Sequence, residues 1–190
     1  FFQDLERAGG PQHTYVGELY FSAHRGVYTS QARVKKGNRK SELALREAEV
    51  WGALSQPRGF VFPREKMDKA WKLLLLNQFH DILPGSSIAR VNEEAHADHD
   101  RIVAEASGVA EAALQALVEA PEGASVLNSL SFTRSQVVTL PPAFAKGART
   151  IDGEALPTQP TADGLLAYVT LPAMGAASLT PTDEAADTGS

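Results

Sequence analysis

The spacing of hydrophobic residues divides the chain into three regions. Between residues 31 and 120 apolar positions recur every three or four residues, which is the period of an amphipathic helix. The most regular stripe comprises Ile88, Val91, Ala95, Ile102, Ala106, Val109, Ala113 and Leu117. Two shorter stripes precede it, one within Leu43–Leu54 and one within Met67–Leu75. Three such helices joined by short loops predict a three-helix bundle.

Proline and glycine residues separate the predicted helices. Pro57 and Pro63 break the pattern between the first and the second helix, and Pro63 suits a first turn because its missing N–H needs no partner there. Pro84 and Gly85 follow the apolar stretch "LLLLNQFHDIL" and predict that the second helix ends beside them.

The flanking regions follow other patterns. Residues 1 to 30 are mixed, and "TYVGELYFSAHRGVYTSQ" alternates enough to hold one or two strands. After Pro121 the period becomes two, and "SVLNSLSFTRSQVVTLPP" and "GLLAYVTLPAMGAASLTP" predict short strands between turns. The predicted fold class is therefore α+β, with a three-helix bundle over residues 31–120 and part of an antiparallel β domain over residues 121–190.

Composition excludes several classes of protein. The chain has 190 residues, a net charge of −5 and no cysteine, so a disulfide scaffold and a thiolate metal site are excluded. The basic stretch "RVKKGNRK" is too short for a nucleic-acid stripe and is interpreted as a solvated helix face. No run approaches the ~20 apolar residues that span a bilayer. Because the chain starts at Phe1 and shows no signal-like segment, we expect a piece of a longer protein.

His80 and Asp81 follow the leucines Leu73–Leu76 in the predicted second helix. Helical geometry places His80 on a side shared with these leucines. A buried histidine needs a hydrogen bond or a metal, because an unpaired buried polar group costs ~1–3 kcal/mol. Spacing alone favours a core histidine bonded to a backbone carbonyl over a metal ligand. The helix macrodipole disfavours Asp81 at a C-terminus, so its partner would be a cation, a metal shell or a sugar hydroxyl, unless it is simply exposed.

A second histidine group lies in the predicted third helix. His96 and Asp100 are one helical turn apart in "HADHD" and could share a metal ion on one face. A polar helix face exposed to water is the favoured alternative, because such pairs are common on helices and no further ligand is near in sequence.

A third candidate precedes the first helix. His24, Arg25 and Tyr28 provide hydrogen-bond donors and an aromatic ring around Gly26, which is the usual equipment of a polyol-binding loop. Loops of this composition are also frequent at domain junctions.

Two long motifs resemble glycoside hydrolase family 38, the retaining α-mannosidases. They are "GELYFSAHRGVYTSQARVKKGNRKSELALREAEVW" and "LLLNQFHDILPGSSI", and "VLNSLSFTRSQVVTLP" resembles the start of that family's C-terminal β region. The form of the first motif is closest to the bacterial and cytosolic branch. The resemblance implies that residues 1–30 end a catalytic domain, residues 31–120 form the middle domain and residues 121–190 begin a β-sandwich-like region.

The same resemblance implies roles for individual residues. The family binds one zinc ion, and the histidine of its HD pair, here His80, is the last ligand, while the neighbouring aspartate, here Asp81, contacts mannose hydroxyls. From their own side-chain chemistry, and not from the resemblance, His24, Arg25 and Tyr28 are expected near the substrate. The remaining ligands and the aspartate nucleophile are expected before Phe1, so no catalytic residue is assigned here.

The acid/base also stays unassigned. Golgi and lysosomal relatives carry acidic residues where this sequence has His24 and Arg25, and Glu18 is merely the nearest carboxylate.

The resemblance predicts a fragment of a cytoplasmic, zinc-dependent enzyme that hydrolyses terminal α-D-mannosides. Its expected partners are the α-mannoside and the upstream catalytic domain of the same chain, without nucleic acid or membrane, and homo-oligomerisation stays open. The fragment alone is expected to be inactive. A non-catalytic helical interaction module and a stand-alone carbohydrate-binding unit are the alternatives.

Overall fold

The computed structural model describes residues 1–17, 22–118 and 123–183. Within these ranges the α-helices are α1 (Phe2–Arg7), α2 (Ala32–Ser55), α3 (Arg64–Asn77) and α4 (Ala89–Leu117). Two 3₁₀ helices span Ser22–Tyr28 and Gln56–Arg58. The strands are β1 (Ala124–Leu127), β2 (Arg134–Leu140), β3 (Gly147–Thr150), β4 (Thr158–Thr161), β5 (Gly164–Leu171) and β6 (Ala176–Thr182). This order confirms the α+β fold class.

Helices α2, α3 and α4 form the predicted three-helix bundle. Helix α3 runs back along α2, and α4 then runs parallel to α2, so the first turns of α2 and α4 and the last turn of α3 lie at one end. Side chains from all three helices fill the core, where Leu45, Leu74 and Ile102 are almost fully shielded from solvent. Fully burying one such side chain contributes ~1.5–3 kcal/mol, so the core stabilises the end of the bundle described below.

The prediction that α3 continues to Pro84 is wrong. The helix ends at Asn77, and residues 78–85 form turns. The Asn77 side chain donates to the carbonyl of Leu73 (3.0 Å) and to Asp98 on α4 (3.2 Å). Asp81 has a φ of 72°, a left-handed conformation that no α-helix contains. The proline and glycine therefore end the turn and not the helix.

The predicted apolar stripes are partly out of phase with the core. Leu43, Leu54, Leu75 and Ile88 are exposed, whereas the buried positions of α2 include Leu45, Ala48 and Trp51. The core side of α2 also contains polar residues such as Ser41 and Ser55, and the hydroxyl of Ser55 donates to the carbonyl of Ala113 (2.7 Å). Counting apolar residues alone therefore misplaces this face of the helix.

The strands predicted within the first thirty residues are absent from the part of that region that the structure describes. Residues 2–7 form α1 and residues 22–28 form a 3₁₀ helix. Gln31 then takes a left-handed conformation, with a φ of 50°, immediately before α2. Glu18 lies outside the described residues.

The C-terminal region contains two three-stranded antiparallel sheets, with strand orders β1-β6-β3 and β2-β5-β4. Alternate residues of β5 point inward, and they pack with residues from both sheets around Phe144 and Leu171. This region contacts the bundle directly, because Arg46 of α2 donates to the carbonyl of Ser129 (2.6 Å) and Leu127 packs against the bundle core. The predicted β region therefore follows the bundle and is attached to it.

Candidate functional site

His80 projects from the turn that follows α3. Its side chain is exposed, and its ring lies against that of Phe79 with the ring centroids 4.0 Å apart. Leu76, which was expected to share a buried side with it, is 59% exposed. The interpretation of His80 as a core histidine is therefore wrong. An exposed imidazole is accessible to a ligand from outside the bundle.

Asp81 accepts the hydrogen bonds that stabilise this turn. Its Oδ1 atom accepts a hydrogen bond from the Ser86 hydroxyl (2.9 Å), and its backbone carbonyl accepts the N–H groups of Ser86 (3.1 Å) and Ser87 (3.0 Å). The Ser87 hydroxyl also donates to this carbonyl (2.7 Å). The argument from the helix macrodipole does not apply, because Asp81 lies outside the helix. These bonds fix the turn around the exposed carboxylate of Asp81, one residue after His80.

Helix α2 supports both ends of this turn. The Gln78 side-chain amide donates to Asn38 (3.0 Å) and to Glu42 (3.0 Å). Lys35 reaches the far end of the turn, where its ammonium donates to the carbonyl of Leu83 (2.9 Å). His80 and Asp81, which the family resemblance assigns to zinc and to mannose, therefore belong to a turn whose two ends are hydrogen-bonded to α2.

The 3₁₀ helix Ser22–Tyr28 carries the other three candidates. His24, Arg25 and Tyr28 are exposed, and the backbone kinks at His24. Ser30 closes this segment by donating its N–H and its hydroxyl to the carbonyl of Gly26, both at 3.0 Å. Because the segment leads into α2, it lies at the same end of the bundle as His80 and Asp81.

The favoured interpretation of "HADHD" as a polar helix face exposed to water is wrong for His99, and the alternative pair of His96 with Asp100 is not formed. Asp100 instead bonds Arg33 of α2 (3.3 Å), while His99 is buried and bonds the hydroxyl of Ser41 (3.0 Å). Burial lowers the pKa of His99, with a smaller contribution in the same direction from His96 and opposing ones from Asp98 and Asp100. His96 and His99 both line a cavity of about 260 Å³ between α2 and α4.

The sequence contained a signal for His99 that was overlooked. His99 lies four residues after Ala95 and three before Ile102, in the gap of the most regular apolar stripe. A polar residue at that position is carried into the core with its neighbours.

The described residues do not form a complete metal site. Among residues 1–17, 22–118 and 123–183, no group of three or more histidine, aspartate or glutamate side chains is placed to hold a metal ion. A tight zinc site needs three or four protein ligands. The exposed His80 fits a zinc ion as one ligand of a site that other residues would complete.

Comparisons with known proteins agree with this architecture. Residues 22–117 match the family model described as the α-mannosidase middle domain. The chain is 36% identical to α-mannosidase 2C1 of Mus musculus over 187 residues, which is 95% of this chain and 16% of that protein. It is 41% identical to an α-mannosidase of Saccharomyces cerevisiae over 97 residues, which is 48% of this chain and 9% of that protein.

A solved structure, described as an α-mannosidase from Enterococcus faecalis, matches all of this chain and 29% of its own, with a TM-score of 0.70 and 19% identity. The likeness supports the fold. The chain therefore belongs to the α-mannosidases of glycoside hydrolase family 38, of which it contains the middle domain. It spans about one sixth of the length of the mouse relative. In the described part of the chain, no helix has the length and hydrophobicity needed to cross a membrane.

Proposed function

We propose that the chain is the middle segment of a retaining, zinc-dependent α-mannosidase that hydrolyses terminal α-D-mannosides. In this proposal His80 is one zinc ligand and Asp81 binds hydroxyls of the sugar. One observation carries it: the turn after α3 exposes an imidazole and a carboxylate on consecutive residues at one end of the bundle. The parent is proposed to be cytoplasmic, as the similarity to the cytosolic branch implies.

The chemistry of the two side chains fits these roles. A neutral imidazole is a common zinc ligand, and a carboxylate accepts hydrogen bonds from vicinal hydroxyl groups. When bound, zinc polarises and orients the oxygens that it coordinates. Among the described side chains only Ser86 bonds the carboxylate of Asp81, through Oδ1, so that a sugar hydroxyl can bond the remaining oxygen.

The surroundings of His80 support a contact with the catalytic domain of the parent. Leu75, Leu76 and Phe79 are each more than half exposed. An apolar group of this kind is typical of a surface that another domain covers. His24, Arg25 and Tyr28 lie at the same end, where they would complete the rim of the sugar pocket.

Substitutions in the intact parent enzyme test the two assignments. His80→Ala is expected to lower the zinc content and the hydrolysis of a nitrophenyl α-mannoside together, by at least the ~10–100-fold that losing a group behind a metal ligand costs. Asp81→Asn is expected to lower turnover and leave zinc in place, because asparagine tolerates the left-handed backbone and still accepts the bond from Ser86. Zinc is measured by mass spectrometry beside the rate.

Two exposed residues provide matched controls. His13→Ala removes an exposed imidazole outside the turn, and Asp68→Asn removes an exposed carboxylate from the middle of α3. Both are expected to retain the zinc content and rate of the unaltered enzyme. Full zinc occupancy in the His80→Ala enzyme would refute the ligand assignment.

A further inference from the structure

Lys35 connects the two segments that carry all the candidate site residues. Its ammonium group donates to the carbonyl oxygens of Ser30 (2.5 Å), Leu83 (2.9 Å) and Pro84 (3.2 Å). An ammonium group has three N–H donors and no acceptor. Three backbone carbonyls therefore use its full donor capacity.

The three carbonyls belong to different parts of the site. Ser30 closes the segment with His24, Arg25 and Tyr28, whereas Leu83 and Pro84 belong to the turn with His80 and Asp81. The two segments also touch directly, because a Cβ atom added to Gly85 would lie 2.8 Å from the carbonyl oxygen of Ser30. Lys35 holds them together at this contact.

We propose that Lys35 is a positioning residue of the α-mannosidase site. By fixing the distance between the two segments, it sets where His80 meets the metal and where Asp81 meets the sugar. This inference rests on the proposed function, and it assigns a role to a side chain that touches neither ligand. Lys35 belongs to the basic stretch "RVKKGNRK", which the sequence suggested was only a solvated helix face.

The geometry requires a compact cation at this position. An ammonium group on a flexible stem can direct its donors toward three converging oxygens, whereas a guanidinium presents its donors in one plane. Methionine resembles the lysine stem and has no donor, so Lys35→Met removes the three bonds while retaining most of the packing. Lys35→Arg retains the charge and changes only the geometry.

The first measurement addresses the contact itself. Amide hydrogen exchange in the 190-residue chain is expected to accelerate about tenfold or more at residues 85–87 in the Lys35→Met variant. Exchange in the middle of α4 is expected to stay unchanged. Lys72→Met is the control, because Lys72 is an exposed lysine of α3 whose ammonium bonds Asp68 one turn away. Exchange at residues 85–87 equal to that of the unaltered chain would overturn the proposal.

The second measurement addresses the role in the intact parent enzyme. Lys35→Met is expected to weaken zinc affinity and lower kcat/KM by about tenfold or more, in the range for groups that orient a metal ligand. Lys35→Arg is expected to fall between Lys35→Met and the unaltered enzyme, and Lys72→Met to match the latter. Faster exchange with unchanged zinc affinity and kcat/KM would overturn the positioning role.

The outcome for His80 separates this inference from the proposed function. If His80→Ala keeps its zinc, the proposed function fails, and the exchange data still decide whether Lys35 joins the two segments. If His80→Ala loses its zinc while Lys35→Met keeps the affinity and rate of the unaltered enzyme, the proposed function stands and the role of Lys35 fails.

Discussion

At the scale of single residues, two histidines differ from the sequence prediction in their exposure to solvent. The leucine spacing alone predicts a buried His80, and the polar group "HADHD" predicts a solvated His99. The structure exposes His80 and buries His99 against Ser41. The reason is local, since α3 ends three residues before His80 while α4 runs past His99 without a break.

The buried His99 predicts a stability that falls in acid. Burial lowers its pKa in the folded chain, whereas the unfolded residue takes up a proton near pH ~6.5. Just below that pH the unfolded state binds more protons than the folded state, so the free energy of unfolding falls as the pH falls. Above that pH His99 is neutral in both states, and its contribution to stability is retained in full. The cavity beside His99 is also lined by Arg33, Lys36, Lys40 and Asp100, and the carboxylates of Asp98 and Asp100 oppose the lowering of its pKa.

Urea titrations at pH 7.5 and pH 5.5 measure this effect. The loss of unfolding free energy between the two pH values is expected to be smaller in His99→Gln than in the unaltered chain. His13→Gln, which alters an exposed histidine, is expected to retain the original loss. An equal loss in all three proteins would show that His99 does not carry the acid sensitivity.

At the scale of elements, Gly37 lies at a tight contact between α2 and α4. A Cβ atom on Gly37 would lie 2.8 Å from Cδ2 of the buried His99 ring. Gly108 of α4 has nothing within 4 Å of the same construction. Gly37 and Gly108 therefore differ in the space that their surroundings leave for a methyl group.

This difference predicts that alanine changes the free energy of unfolding in opposite directions at the two positions. Gly37→Ala is expected to lower the free energy of unfolding by ~1–3 kcal/mol, because the added carbon overpacks the contact with His99. Gly108→Ala is expected to raise it by ~0.5–1 kcal/mol, because alanine loses less conformational freedom in a helix. Urea denaturation of both variants is the measurement. A stabilised Gly37→Ala protein would mean that the helices separate without cost.

The sequence predicted the elements better than their ends. Three helices and a later β region followed from periodicity and breakers, because long amphipathic stripes are strong signals. The end of α3 did not follow, since it depends on the contact of Asn77 with Asp98 and on the left-handed Asp81. Nor did the buried face of α2, where Ser41 and Ser55 occupy core positions. Contacts between elements decide such details, and a single sequence does not display them.

The candidate site shows the same limit. Side-chain chemistry suggested His80, Asp81, His24, Arg25 and Tyr28, and the family resemblance gave roles to the first two. The structure places all five at one end of the bundle. Their roles stay predictions. The sequence did not indicate Lys35, because the carbonyls that it joins are separated by about fifty residues along the chain.

At the scale of the whole molecule, the 190-residue chain is predicted to bind zinc weakly and to hydrolyse no α-mannoside. Among the described residues only His80 is proposed as a ligand, and tight binding needs three or four. A retaining glycosidase also needs two carboxyl groups ~5–5.5 Å apart across the scissile bond. Calorimetric zinc titration and an overnight nitrophenyl α-mannoside assay check both points, with His80→Ala as the reference. Nanomolar affinity or turnover above that reference would reveal a complete site within the chain.

The pairing of β1 with β6 has a consequence for the order of folding. Leu127 of β1 packs against the bundle, yet its partner in the sheet is Ala176, about fifty residues later. The last helix of the bundle ends at Leu117, so the whole bundle precedes β6 in the chain. During synthesis the bundle can therefore assemble first, and β1 can pack against it. The sheet of β1, β6 and β3 forms only after the ribosome has released β6.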